Sequence, residues 1–282
     1  MELHEILYSA MTDIFSHQDL NNIFVKALED PHTVQLANAL LECRWSYDRK
    51  ETHKMLAKVN PYNFFSNHFK EFVGYIRSQN RDQDELVYTF LELKVLTEFY
   101  GEDLLAQILV LPKNQIVRGW TYLNALTTVW LGEKKSPVEV MKTVDDDVYN
   151  FLYYGADKFS PKLCFSYNSK FYKVYPSEVT MTSLDTLTSA VGPARVAIML
   201  DIAQKSPNSF GKSQGLVYQN TQYQEWYAKK LSPDDVYEMI ENDLMKNPWG
   251  LSDASDLAES VRIRYTSALL HPDFTKNKEL VV

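Results

Sequence analysis

Apolar residues recur at three- and four-residue steps along most of this chain, which is the spacing of one face of an α-helix. Leu3, Leu7, Met11 and Ile14, then Leu20, Ile23, Phe24, Ala27 and Leu28, mark helical faces before Asp30-Pro31 breaks the run. Val34, Leu36, Ala37, Leu40 and Leu41 predict a helix leading into Trp45, and Met55, Leu56 and Val59 continue after a turn as far as Asn60-Pro61. An aromatic helix follows on Phe64, Phe65, Phe69, Phe72, Val73 and Ile76, and a polar stretch over 77–85 ends it. Leu86, Phe90, Leu93, Leu96 and Phe99 then run to a turn at Gly101, and Leu104, Leu105, Ile108 and Leu109 resume until Pro112. Ile116, Trp120, Leu123, Leu126 and Val129 lead into Trp130, with Val138, Val140, Met141 and Val144 beyond it. Between Val148 and Tyr175 the pattern is least regular and predicts a short helix pair. Regularity returns from Met181 to Leu270, and the residues after Pro272 are expected to fray.

The helical pattern repeats. Six residues after Trp130 comes Ser136, then Pro137, Glu139 and Val140; after Trp226 come Ser232, Pro233, Asp235 and Val236 at the same offsets. Ser136 suits a helix N-cap, Pro137 the first helical position where its missing N–H costs nothing, and Glu139 closes a capping box. A weaker copy at Trp45 has Met55 at the ten-residue offset, but Glu51 and Thr52 replace Ser-Pro, so its cap is lost or different. Upstream, the stretch from Leu96 through Tyr100-Gly101, Leu105 and Ala106 to Leu109 aligns without gaps on Leu187 through Val191-Gly192, Val196 and Ala197 to Leu200. The separation of Trp45 and Trp130 likewise places Met11, Leu20, Ile23 and Phe24 opposite Leu96, Leu105, Ile108 and Leu109. The third copy carries a few extra residues, most simply in a loop from Pro207 to Gly215. The expected fold is therefore all-α, with three tandem helical units at 1–84, 85–180 and 181–282 joined end to end.

Composition narrows what such a body does. A net charge of −8 argues against nucleic acid as the main ligand, because phosphate binding is driven by Lys and Arg. No apolar run reaches the length of a membrane span, and no secretion signal opens the chain. Cys43 and Cys164 are too few for a disulfide framework, which suits a reducing compartment. Aromatic residues, at 13%, recur inside the repeats and so belong to the core rather than to a recognition surface.

Candidate chemistry is sparse. Gly211-Lys212-Ser213-Gln214-Gly215 fits the nucleophile elbow of hydrolases, but the residues before it cannot form the buried strand that an elbow needs. Gly211-Lys212-Ser213 also resembles the end of a phosphate-binding loop, whose earlier glycine is Ser206 here. The six histidines form no close ligand pair and neither cysteine has a nearby partner, so no metal and no cofactor is expected. The stretch from Asp234 to Ile240 could serve as an acidic linear motif, though Val236, Tyr237 and Ile240 fall on a repeat helix and read as core. No catalytic residue is assigned, and partner-binding residues are unknown.

With the repeat laid out, the chain resembles the tandem WY and LWY units of oomycete RXLR effectors. The L part is carried by Leu96 to Ala106, including Leu105, and by Leu187 to Ala197, including Val196; the W position falls on Trp45, Trp130 and Trp226. Phe72, Tyr172 and Tyr265 are assigned to the Y position. No Arg-x-Leu-Arg or Glu-Glu-Arg segment is present. The resemblance implies a non-enzymatic, monomeric virulence protein, secreted by a pathogen and translocated into the host plant cell, in its cytoplasm or nucleus. There it would bind host proteins and suppress immunity. Some tandem LWY effectors act as stand-in regulatory subunits that recruit a serine/threonine phosphatase core, which is the alternative partner.

Overall fold

The computed structural model describes residues 3–45, 47–60, 66–110, 118–144, 161–205, 209–246, 254–271 and 274. Among these residues there are fifteen α-helices and no strand. Asp145, Asp146 and Asp147, the aromatic residues Phe151, Tyr153, Tyr154 and Phe159, and Phe64, Phe65, Pro112, Ile116, Pro207 and Pro272 lie outside the described residues.

The chain divides into two compact units. The first comprises Met1–Val144 and Phe165–Thr180, and the second Asp145–Cys164 and Met181–Val282. The first unit opens with α1 (Leu3–Ile14), α2 (His17–Glu29), α3 (Val34–Glu42), α4 (Arg49–Leu56) and α5 (Asn67–Gln79). It continues with α6 (Glu85–Tyr100), α7 (Glu102–Val110), α8 (Arg118–Gly132), α9 (Pro137–Val144) and most of α10 (Pro161–Val174). The second unit holds α11 (Ser183–Val191), α12 (Pro193–Gln204), α13 (Ser209–Ala228), α14 (Pro233–Met245) and α15 (Ala254–Leu270).

In the first unit α6 is the central element. It packs on α7 and α8 and on α2, α4 and α5. Val87, Phe90, Leu91, Leu93, Val95 and Leu96 are all buried, so the helix has apolar residues around most of its circumference, as a helix packed on five others must. In the second unit α12 takes the corresponding place among α11, α13, α14 and α15. There Ala194, Ala197, Ile198, Tyr223, Trp226, Val236, Ile240, Val261 and Tyr265 form one core.

The aligned sequence blocks adopt the same backbone. α6 ends at Gly101 with φ 79° and ψ 155°, and α11 ends at Gly192 with φ 89° and ψ 154°. Both glycine N–H groups donate to a threonine carbonyl one turn back, Thr97 and Thr188, and both glycine carbonyls accept the first bond of the next helix, from Leu105 and Val196. Only glycine occupies this positive-φ, extended-ψ region without strain. Leu96, Leu105, Leu187 and Val196 are all buried on either side of the two turns.

The helices that carry Trp130 and Trp226 also end alike. Lys134 (φ 57°) and Lys230 (φ 60°) are left-handed, Lys135 and Leu231 donate back to the Trp130 and Trp226 carbonyls, and Lys134 and Lys230 donate to Leu131 and Tyr227. This is the Schellman closure of a helix, here built on lysine rather than on glycine. Capping boxes follow at once: Ser136 N–H donates to Glu139 at 2.8 Å and Ser232 N–H to Asp235 at 2.7 Å, with the return bonds to both Ser Oγ atoms. At Trp45 the closure differs, because the cap is Asp48, which accepts from Glu51 N–H at 3.0 Å.

One expectation needs correction. The stretch expected to be a loop up to Gly215 is helical from Ser209, so the extra residues of the third copy lengthen α13, which has 20 residues against 15 in α8. Gly215 explains why glycine is tolerated inside that helix. A Cβ there would sit 3.0 Å from Ala203 Cβ and 3.3 Å from the Leu200 carbonyl, so the missing side chain lets α13 lie directly on α12.

A Cβ added at Gly101 or Gly192 would meet nothing within 4 Å, so replacing either glycine tests the backbone alone. Gly101→Ala and Gly192→Ala are each expected to cost about 1–3 kcal/mol in urea unfolding. A loss under a few tenths of a kcal/mol would show that the turn conformation is not required.

Candidate functional site

The repeat places a tryptophan and a tyrosine against each other across each Schellman closure. In the second unit Trp226, buried at the end of α13, meets Tyr265 of α15 edge-on at 5.5 Å and 80°. The Tyr265 hydroxyl donates to the Leu231 carbonyl at 3.1 Å, the residue that completes the closure. In the first unit Trp130 meets Tyr167 of α10 at 6.2 Å and 84°, and the Tyr167 hydroxyl donates to the equivalent carbonyl, Lys135, at 2.7 Å. Burial pushes the phenols of both Tyr167 and Tyr265 above their ordinary range, as expected of hydroxyls that must stay protonated to donate.

The tyrosine that meets Trp130 is thus Tyr167, not Tyr172. Tyr172 is half-buried and edges onto Phe171 at 5.4 Å. Each helical turn of α10 offers an aromatic residue, so spacing alone could not choose among them. Phe72 is fully buried beside Phe69 at 5.7 Å, but it has no hydroxyl with which to reach a carbonyl.

Trp45 also departs from its expected place. It lies beyond the end of α3 and is only half-buried, whereas Trp130 and Trp226 lie within helices and are fully buried. The indole N–H of Trp130 donates to Glu102 at 2.8 Å, and the same carboxylate pairs with Lys135 at 2.5 Å. Trp45 Nε1 is buried without a partner.

Released from a helix core, Trp45 helps to line a cavity of about 270 Å³ inside the first unit. Phe90, Leu93, Leu126 and Val129 supply the rest of its apolar wall, and Glu42, Lys94, Glu98, Glu102 and Glu133 its charged rim. Lys94 is committed to Glu42 and Glu98. Burial works against the Glu98 charge, but bonds from Arg49 at 3.0 Å and Tyr47 at 2.9 Å, with Lys94 nearby, outweigh it and hold the carboxyl below its ordinary range. Glu133 behaves oppositely: burial first, and then the Glu102 charge, raise its pKa. The cavity is therefore an apolar slot with a carboxylate rim, one member of which would gain from a cation.

Ser213 lies exposed in the interior of α13. A nucleophile elbow needs a strand-to-helix turn at that point, and the backbone there is continuous helix. Val236 and Ile240 face the core of the second unit, and Tyr237 donates to Glu241 at 2.8 Å along its own helix. Among the described residues no group of three or more His, Cys, Asp or Glu side chains is placed to hold a metal ion, and no helix is long and apolar enough to cross a membrane.

Two outcomes follow from this geometry. Tyr167→Phe and Tyr265→Phe should each lose about 1 kcal/mol, the net worth of one buried hydrogen bond, whereas Tyr172→Phe should stay within about 0.5 kcal/mol of the parent in urea titrations. A larger effect at Tyr172 than at Tyr167 would overturn the assignment. For Glu133, a folded pKa above the ordinary 4.5 means that the fold favours the protonated carboxyl. Its contribution is present below pH 4.5 and is lost as pH rises through the folded pKa. Glu133→Gln should thus raise the urea midpoint at pH 7 and leave it nearly unchanged at pH 4; an equal gain at both would reject an ionic cause.

No protein-family model matches the chain, and no curated protein matches it. Among solved structures, the chain is similar to the one described as "The Crystal Structure of PcRxLR12", at 20% identity and a TM-score of 0.39 over 94% of this chain. It spans 66% of that protein's length. A likeness at that distance assigns neither the fold nor the function of this chain.

Proposed function

We propose that the chain is a pathogen virulence effector of the tandem WY/LWY kind, built from three copies at 1–84, 85–180 and 181–282, which works inside the host plant cell as a non-enzymatic scaffold holding a host protein. The observation that carries this is the reuse of one device: glycine turn, Schellman closure, Trp–Tyr contact and capping box recur with the same bonds in α6–α10 and α11–α15. Repetition of this kind spends aromatic residues on cores and leaves polar, divergent surfaces for partners. The slot beside Trp45 is the place where an aromatic residue of the repeat is withdrawn from a helix core and lines an opening instead. Its apolar wall and glutamate rim suit an apolar side chain flanked by Lys or Arg, the usual complementarity of a peptide-binding groove.

Affinity capture from plant extract tests the proposal. The wild-type chain should recover a specific host protein, and the exchange Glu42→Lys with Glu133→Lys should abolish recovery by protein that keeps the parent's helical circular dichroism spectrum. Recovery of a serine/threonine phosphatase's scaffold and catalytic subunits would identify the phosphatase-recruiting mechanism; a different partner would reject that mechanism and retain the scaffold. Equal recovery by parent and variant would remove the slot from the proposal. No specific recovery by folded protein would overturn the scaffold reading itself.

A further inference from the structure

The slot beside Trp45 is lined by four carboxylates, and three of them are already matched. Glu42 pairs with Lys94, Glu98 with Arg49 at 3.0 Å and Lys94 at 3.6 Å, and Glu102 with Lys135 at 2.5 Å. Glu133 has no side-chain hydrogen bond or ion pair among the described residues. Lys135 eases its charge from a distance but is held by Glu102. One unmatched carboxylate therefore shares the lining with an apolar wall in which Trp45 and Phe90 supply the aromatic rings.

The repeat does not ask for this rim. The register that sets Leu96 opposite Leu187 sets Lys94, Glu98 and Glu102 opposite Asp185, Ser189 and Pro193, and the register of Trp130 with Trp226 sets Glu133 opposite Lys229. Each of those three carboxylates is absent from the second unit, and the lysine has become an acid. The wall changes too, because Gln222 and Glu225 stand where the slot has Leu126 and Val129. Gln222 is buried and donates to the Pro193 carbonyl at 2.9 Å, tying α13 to the start of α12. The same turns and caps thus form without a slot, and its apolar wall and acidic rim are an addition particular to the first unit.

We propose that the slot is a binding site for a small arylalkylammonium ion, with its ring against the wall and its ammonium group on Glu133. A single unmatched carboxylate calls for a single positive charge, and a charge-assisted bond to it is stronger than a neutral one. Among the described residues no three His, Cys, Asp or Glu side chains gather to hold a metal ion, so the counter-charge falls to an organic cation. An indole face is the best aromatic partner for such a cation. The volume of about 270 Å³ lies just below the roughly 300–1,000 Å³ of pockets for drug-sized ligands, so the slot suits one ring and a short chain. This inference rests on the slot being a recognition site, and it adds a regulator: an amine held there would compete with a partner's side chain.

Isothermal titration of the full chain with 2-phenylethylamine at pH 7 tests this. The wild-type chain should bind one amine, and bind the uncharged 2-phenylethanol and the ring-free polyamine spermidine at least tenfold more weakly. Glu133→Gln should lose at least tenfold in affinity for the amine, and since that substitution is expected to raise the urea midpoint, loss of fold does not account for the loss. Glu225→Gln, which removes a half-buried acid of the second unit, should bind as the parent does. No saturable binding by the wild-type chain would overturn the proposal, as would equal binding of amine and alcohol, tighter binding of spermidine, or full affinity in Glu133→Gln. Tighter binding of phenylalanylalanine amide would overturn the free amine as occupant in favour of a peptide terminus. Host-protein capture that depends on Glu42 and Glu133, in a chain that binds no amine, would sink this inference and keep the scaffold; amine binding without capture would do the reverse.

Discussion

A helix packed on five others must settle inside the protein every polar group that it buries, and α6 buries Glu92 at its centre, 1% exposed. The carboxylate accepts from Arg77 Nε of α5 at 2.8 Å and from the Tyr122 hydroxyl of α8 at 2.5 Å. One side chain thereby ties α5, α6 and α8 together in a single register. Burial works against the Arg77 charge, but the bonds to Glu85 and Glu92 outweigh it and hold its pKa above the ordinary range. Stranding one member of such a pair costs about 3–5 kcal/mol, while exchanging both for well-packed apolar residues can be neutral. The pair thus contributes more to how the helices are arranged than to how firmly they hold.

The second unit solves the same problem with different residues. Asp201, 1% exposed on α12, meets Arg264 Nε and Lys205 Nζ at 2.7 Å each and accepts from Ser260 at 3.1 Å. Neither acid drew notice in the sequence, where Glu92 and Asp201 fall inside otherwise apolar runs and look like positions on a wet face. Apart from Lys205, one turn along from Asp201, their charged partners Arg77 and Arg264 lie 15 and 63 residues away along the chain, so no local pattern announces them.

What the sequence made legible was whatever is decided within a few residues. The glycine turns at Gly101 and Gly192 and the capping boxes at Ser136 and Ser232 are local, and their residue types are dictated by backbone geometry. What it left hidden needed the third dimension. Tyr167 and Tyr172 sit a little over one helical turn apart and differ only in which of them reaches the Lys135 carbonyl. Lys134 and Lys230 hold left-handed conformations that a reader of sequence assigns to glycine. Gly215, which looks like part of a loop or of a catalytic elbow, is a contact point between two helices. The slot beside Trp45 exists because α3 stops before the tryptophan, and a diverged cap at Asp48 is a faint sign of that.

The Arg77–Glu92 pair has a consequence for how such chains could be recombined. The turns and caps at Gly101, Lys134 and Ser136 and at Gly192, Lys230 and Ser232 close on residues only a few positions away, so they would form wherever their helices were placed. The contact between α5 and α6 is different, because the partly buried Arg77 is compatible only with a neighbouring helix that offers a carboxylate at the matching point. The chemistry at one buried position therefore acts as a matching requirement between α5 and α6, and it would govern which exchanges of either helix still assemble even where each helix is sound by itself.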